Sequence, residues 1–100
     1  MWRKVGITML VKLPADEKLK QLGFVLIKQD DLVGCLVYEN PDDDHCVELD
    51  FDGEEWFIRS GSMSKIQDYY GVEIREPMGI KYEECKAFLD KIDEMQSKWK

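Results

Sequence analysis

Glu48, Asp50 and Asp52 stand at alternate positions in the run Val47-Glu48-Leu49-Asp50-Phe51-Asp52. A strand sends successive side chains to opposite faces, so the three carboxylates leave on one side, with Glu55 near them across the next turn. Clustered oxygens suit a hard divalent cation or a basic partner surface, and the same pattern is also that of the wet face of a half-buried hairpin. A calcium loop counted from Glu48 does place Gly53 at the sixth position, but Arg59 stands at the twelfth, where a bidentate Glu belongs. That spacing fails, and no metal is expected.

Nucleophilic chemistry has one adjacent pair to consider, His45-Cys46. A thiolate site needs the imidazole within hydrogen-bond reach of the sulfur, whereas neighbours on a strand diverge. Following Asp42, Asp43 and Asp44, His45 reads as a loop residue whose charged form the carboxylates favour. Paired C-x-x-C spacings, a G-x-S-x-G elbow and glycine-rich phosphate loops are all missing from the sequence. No catalytic residue and no cofactor is expected, so the chain reads as a non-enzyme. Three aromatics fall outside the core pattern: Phe57, on the face of Glu48 and Asp50, and Tyr69 and Tyr70 before Gly71. Aromatic anchors inside an acidic rim suit a protein-binding surface. Cover from the 61–79 segment is the alternative for Phe57.

Composition narrows the partner. The 100 residues carry 14 basic and 21 acidic side chains, a formal net charge of -7. Such a chain is repelled by phosphate backbones, and no Lys/Arg cluster offsets this locally, so direct nucleic-acid binding is disfavoured. A hydrophobic content of 44% argues against disorder. At this length about two thirds of the surface of the open chain can be buried, enough for one core and a single domain over residues 1–100. Cys35, Cys46 and Cys85 are odd in number and widely spaced, as reduced cysteines used as small hydrophobes are. The longest apolar run, Phe24 to Ile27, cannot span a bilayer, and Met1-Trp2-Arg3-Lys4 leads into no apolar leader core. The expected address is cytoplasmic, with no membrane partner.

These side chains need elements to position them. Val5, Ile7, Met9 and Val11 alternate as a first strand. Pro14, then Asp16 and Glu17, open a short helix whose Ala15, Leu19 and Leu22 share a face; Gly23 stops it, and Phe24 can then touch Leu19. Phe24 to Lys28 and Val33 to Glu39 read as strands around a turn at Gln29 to Leu32, and Asn40 to Asp44 is the next turn. Val47, Leu49 and Phe51 alternate up to Asp52-Gly53, a hairpin signal, and Glu55 to Ser60 returns. A two-residue turn sets Leu49 opposite Trp56, and a four-residue turn sets it opposite Ile58. Both bury Val47, Leu49, Phe51, Trp56 and Ile58, because they differ by an even shift. Residues 61–79 read mostly as loop, with a possible edge strand at Val72 to Arg75. A final helix from about Tyr82 to Lys98 is marked by Cys85, Phe88, Leu89, Ile92 and Met95, with Trp99 just beyond, at three- and four-residue spacing. The expectation is an α+β fold: an antiparallel sheet of four to five strands, a long C-terminal helix packed on one face and a short N-terminal helix.

Leu13-Pro14-Ala15-Asp16 leading to Gln21-Leu22-Gly23-Phe24, and Met78-Gly79-Ile80-Lys81-Tyr82-Glu83-Glu84 opening the last helix, resemble small uncharacterised proteins of phages and prophages of Gram-positive bacteria. Lys81 departs from the Ser or Thr cap expected there. The resemblance implies an accessory protein acting in a host cytoplasm, with no catalytic residues to carry over. The expected function is that of a small acidic accessory or inhibitor protein occupying a basic site on a protein partner, through Glu48, Asp50, Asp52, Glu55, Phe57, Tyr69 and Tyr70. The alternative is a structural or assembly subunit forming a homo-oligomer, a homodimer for example.

Overall fold

The computed structural model describes residues 14–98; the strand expected at Val5 to Val11, and Trp99, lie outside them. Helix α1 (Ala15–Gln21) leads into β1 (Val25–Asp30), β2 (Cys35–Asn40), a 3-10 turn at Pro41–Asp43, β3 (His45–Phe51), β4 (Trp56–Gln67), β5 (Glu73–Pro77) and helix α2 (Tyr82–Gln96). The five strands form one antiparallel sheet in sequence order. This is the α+β architecture expected.

Local chemistry explains the ends of α1. Pro14 needs no amide partner at the cap, and Asp16 and Glu17 sit against the positive helix terminus. At the other end Gly23 takes φ 98° and donates to the Lys20 carbonyl at 3.0 Å, while the Phe24 amide donates to Leu19 at 2.8 Å. This is the Schellman ending anticipated at Gly23. Ala15 and Leu19 are buried as expected, but Leu22, the cap residue, has turned outward and is half-exposed.

Helix α2 covers one face of the sheet. Phe88 meets Phe24 and Tyr38 edge-to-face at centroid separations of 5.1 and 5.4 Å, and Ile92 and Met95 complete a core with Leu36, Val47 and Leu49. The helix presents a different edge from the one its spacing suggested: Glu84, Ala87 and Lys91 are buried, whereas Leu89 is 48% exposed. The cause is α1, which packs beside α2 and supplies polar partners there. Lys91 Nζ lies 3.1 Å from Asp16, Lys18 Nζ 2.7 Å from Asp90, and Glu94 accepts from the Ala15 amide at 2.7 Å. Glu84 accepts from the Lys81 backbone at 3.1 Å, so a side chain three residues on serves the start that lacks a Ser or Thr cap.

The β3–β4 hairpin has the four-residue turn, with Phe51 opposite Trp56 and Leu49 opposite Ile58. The first hairpin turns two residues later than expected, at residues 31–34. The larger correction concerns residues 61–79. Instead of a loop, β4 runs on to Gln67 and returns as β5, Ile66 opposite Ile74. A register shift interrupts the β4–β5 ladder between Gly61 and Lys65. There Arg75 donates to the Ser62 and Met63 carbonyls at 2.9 and 2.8 Å, filling the gap the shift leaves in the ladder.

Candidate functional site

The face of the sheet away from α2 carries two of the expected acidic residues, Glu48 and Asp50, in two cross-strand rows. One runs Lys28, Val37, Glu48, Arg59; the next runs Asp30, Cys35, Asp50, Phe57. Glu48, Asp50 and Phe57 therefore share a face, as their spacing required. Phe57 is 43% exposed, and the 61–79 segment, the alternative cover for it, continues the sheet instead.

Glu48 and Asp50 are nevertheless engaged within the sheet. Asp50 lies 3.3 Å from the Arg59 guanidinium, and the Cys35 thiol donates to Glu48 at 3.7 Å. Burial, followed by hydrogen bonding to Asp50, pushes the Cys35 thiol up to about 12. Burial also raises the Glu48 carboxyl, reinforced by its hydrogen bond with Asp50 and that residue's negative charge. Cys35, Glu48 and Asp50 bring one donor atom each to within 4.8 Å of one another. Three donors with water can hold a divalent metal, but at neutral pH the thiol keeps its proton and would have to release it on binding.

Asp52 and Glu55 belong to a different feature, the tips of the hairpins. At the β1–β2 tip Asp30 Oδ1 accepts from the Leu32 and Val33 amides at 3.1 and 3.3 Å. At the β3–β4 tip Asp52 Oδ1 accepts from Glu54 and Glu55, both at 2.8 Å, and these two amides hold the Asp52 carboxyl below its usual range. The tips are joined by the Phe51 amide, which donates to Gly34 at 2.8 Å. Gly34 has φ 73°, and a Cβ there would lie 2.6 Å from the Phe51 carbonyl oxygen, so only glycine permits the approach. Asp30, Asp31, Asp52, Glu54 and Glu55 thus gather at one end of the sheet. Glu54, Asp31 and Asp30 were not among the expected site residues; no sequence spacing links the two turns.

Tyr69 and Tyr70 lie beyond the opposite end of β4, in the turn that leads to β5. They are 95% and 84% exposed. Their turn uses the same device: Asp68 Oδ1 accepts from the Tyr70 and Val72 amides, both at 2.9 Å. The seven expected residues therefore divide into an open-face set (Glu48, Asp50, Phe57), a tip set (Asp52, Glu55) and a distal pair (Tyr69, Tyr70).

His45 is a correction. Instead of a loop residue it is the buried first residue of β3, edge-on to Phe24 at 5.2 Å, with Nε2 2.6 Å from the Ser60 hydroxyl. Cys46 points to the other face, where burial raises its thiol, so imidazole and sulfur diverge as strand geometry demands. Among the described residues no helix is long and apolar enough to cross a membrane. Compared with known proteins, the chain matches no family model, no curated protein and no solved structure.

Proposed function

We propose that this chain is a small protein-binding accessory or inhibitor, of the phage type its sequence resembles, that occupies a basic site on a protein partner in the cytoplasm without catalysis or cofactor. One observation carries the reading: two hairpin tips, remote in sequence, are held together so that Asp30, Asp31, Asp52, Glu54 and Glu55 form one negative end. A fixed charge cluster raises the rate of encounter with a positive surface and repels nucleic acid.

The test uses Glu54→Lys with Glu55→Lys, because both side chains are exposed whereas Asp50 and Asp52 hold Arg59 and the turn amides. A partner captured from a host lysate on the wild-type chain should associate more slowly with the variant, and the wild-type rate should fall as salt rises past a Debye length of about 8 Å. Equal rates that are flat with salt would remove the acidic end from the mechanism.

A second reading, the homo-oligomer, is favoured by the distal ribbon. Beyond Ser62, β4 has β5 as its only strand partner among the described residues, and Ile66, Tyr69, Tyr70, Val72 and Ile74 are exposed there. A two-stranded ribbon is marginal alone. Sedimentation that shows a dimer in the wild type and a monomer after Tyr69→Ser with Ile74→Ser would favour it.

A further inference from the structure

Between the two tips and the end of α2 lies an open depression of about 810 Å³, lined by Leu32, Val33, Phe51, Asp31, Asp52 and Lys98 among others. Leu32 is 100% and Val33 66% exposed, at a tip where polar residues are the rule. Across the depression Phe51 presents a ring backed by Trp56, stacked on it at 5.0 Å. The walls are pre-set: Asp30 fixes the Leu32 and Val33 amides, its carbonyl accepts from Gly34 at 2.9 Å, and Gly34 holds Phe51. Binding here pays little for ordering the loops.

Charge selects the occupant. Asp31 and Asp52 line the depression, Asp30, Glu54 and Glu55 belong to the same tips, and Lys98 is the one cation among the described residues of the lining. A second copy would bring the same negative end and be repelled, and an open depression does not enclose a small molecule as ligand pockets do. We propose that this depression is a docking groove for an extended segment of a partner protein in which one or two apolar side chains are flanked by lysines or arginines. The groove rests on the reading of the chain as a binder of basic partners and names what that end recognises. The apolar side chains lie against Leu32, Val33 and Phe51 while the flanking cations meet the carboxylates of the rim.

The test is methyl NMR of the full chain titrated with three synthetic peptides: one with two leucines flanked by lysines, one with those leucines replaced by serine, and one with the lysines replaced by glutamate. The groove predicts that the lysine–leucine peptide moves the Leu32 and Val33 methyl signals and weakens as salt rises. The other two should bind at least about tenfold more weakly, a difference of about 1.4 kcal/mol. Leu32→Ser with Val33→Ser should cause a similar loss, while the amide signals of β2 and β3 stay in place because both side chains are exposed. Equal binding of the leucine-free lysine peptide would overturn the groove and leave the acidic-end reading standing. Failure of both lysine peptides to bind would overturn the groove and count against that reading as well. Concentration-dependent shifts at Leu32 without peptide would assign the depression to a second copy and overturn the proposal.

Discussion

Tyr38, fully buried on β2, donates its hydroxyl to Asp16 in the first turn of α1 at 2.6 Å. Asp16 accepts at its other oxygen from Lys91 of α2, so one carboxylate ties both helices to the sheet. Burial, then the hydrogen bond to Asp16, drives the phenol well above its usual range, which keeps the hydroxyl a donor at neutral pH. Tyr38→Phe should cost about 1.5 kcal/mol, the low end for a hydrogen bond to a charged group, because Asp16 is partly exposed. Urea unfolding with an unchanged slope would measure it; an unaltered midpoint would show that the contact is not stabilising.

The orientation of α2 is tested by neighbouring residues. Phe88→Ala should cost about 3 to 5 kcal/mol, since the ring is fully buried between Phe24 and Tyr38. Leu89→Ala should stay within about 0.5 kcal/mol, as at an ordinary surface site. The reverse order would place the other edge of the helix on the sheet.

Gly34→Ala probes the junction of the tips. The left-handed backbone alone costs an alanine about 1 to 2 kcal/mol, and its Cβ would meet the Phe51 carbonyl oxygen at 2.6 Å. The expected result is a larger loss than that, with hydrogen exchange quickened at the Phe51 amide. Slow exchange there in the variant would contradict the junction.

The open-face network has a pH signature. The Glu48 pKa is raised in the folded chain, so the folded state binds its proton more tightly than the unfolded state does. Its contribution to stability is full below the unfolded value near 4.5 and is lost as pH rises through the raised folded value. Glu48→Gln should remove that slope from the stability profile. Asp50→Asn removes a negative charge that helps raise the Cys35 thiol, so Cys35, followed on its own by the Cβ signal in NMR, should titrate below about 12. An unshifted thiol would leave burial and the neighbouring Glu48 as the causes.

Much of this fold is local, and local patterns were legible in the sequence. Gly23 ends α1 because a left-handed residue is needed there, and the alternation from Val47 to Phe51 states which side of β3 is dry whichever turn follows. The choice of the four-residue turn came from tertiary pairing of Phe51 with Trp56, as did the continuation of β4 through the serine-rich stretch after Ser60. That stretch has no apolar alternation of its own; Asp44 and Arg75, distant in sequence, supply its hydrogen bonds. The alternation of Val72 and Ile74 with Glu73 and Arg75, after Asp68 and Gly71, was the signal available for the returning strand. Lys91 is buried and Leu89 is not, because an amphipathic stripe says only which half of a helix is apolar and the docking of Asp16 decides the rest. The same holds for the site. Carboxylates at residues 30–31 and 52–55 were visible one by one, but a chain sequence carries no distance between two turns. Only the pairing of β2 with β3, closed by Gly34 and Phe51, makes them one surface.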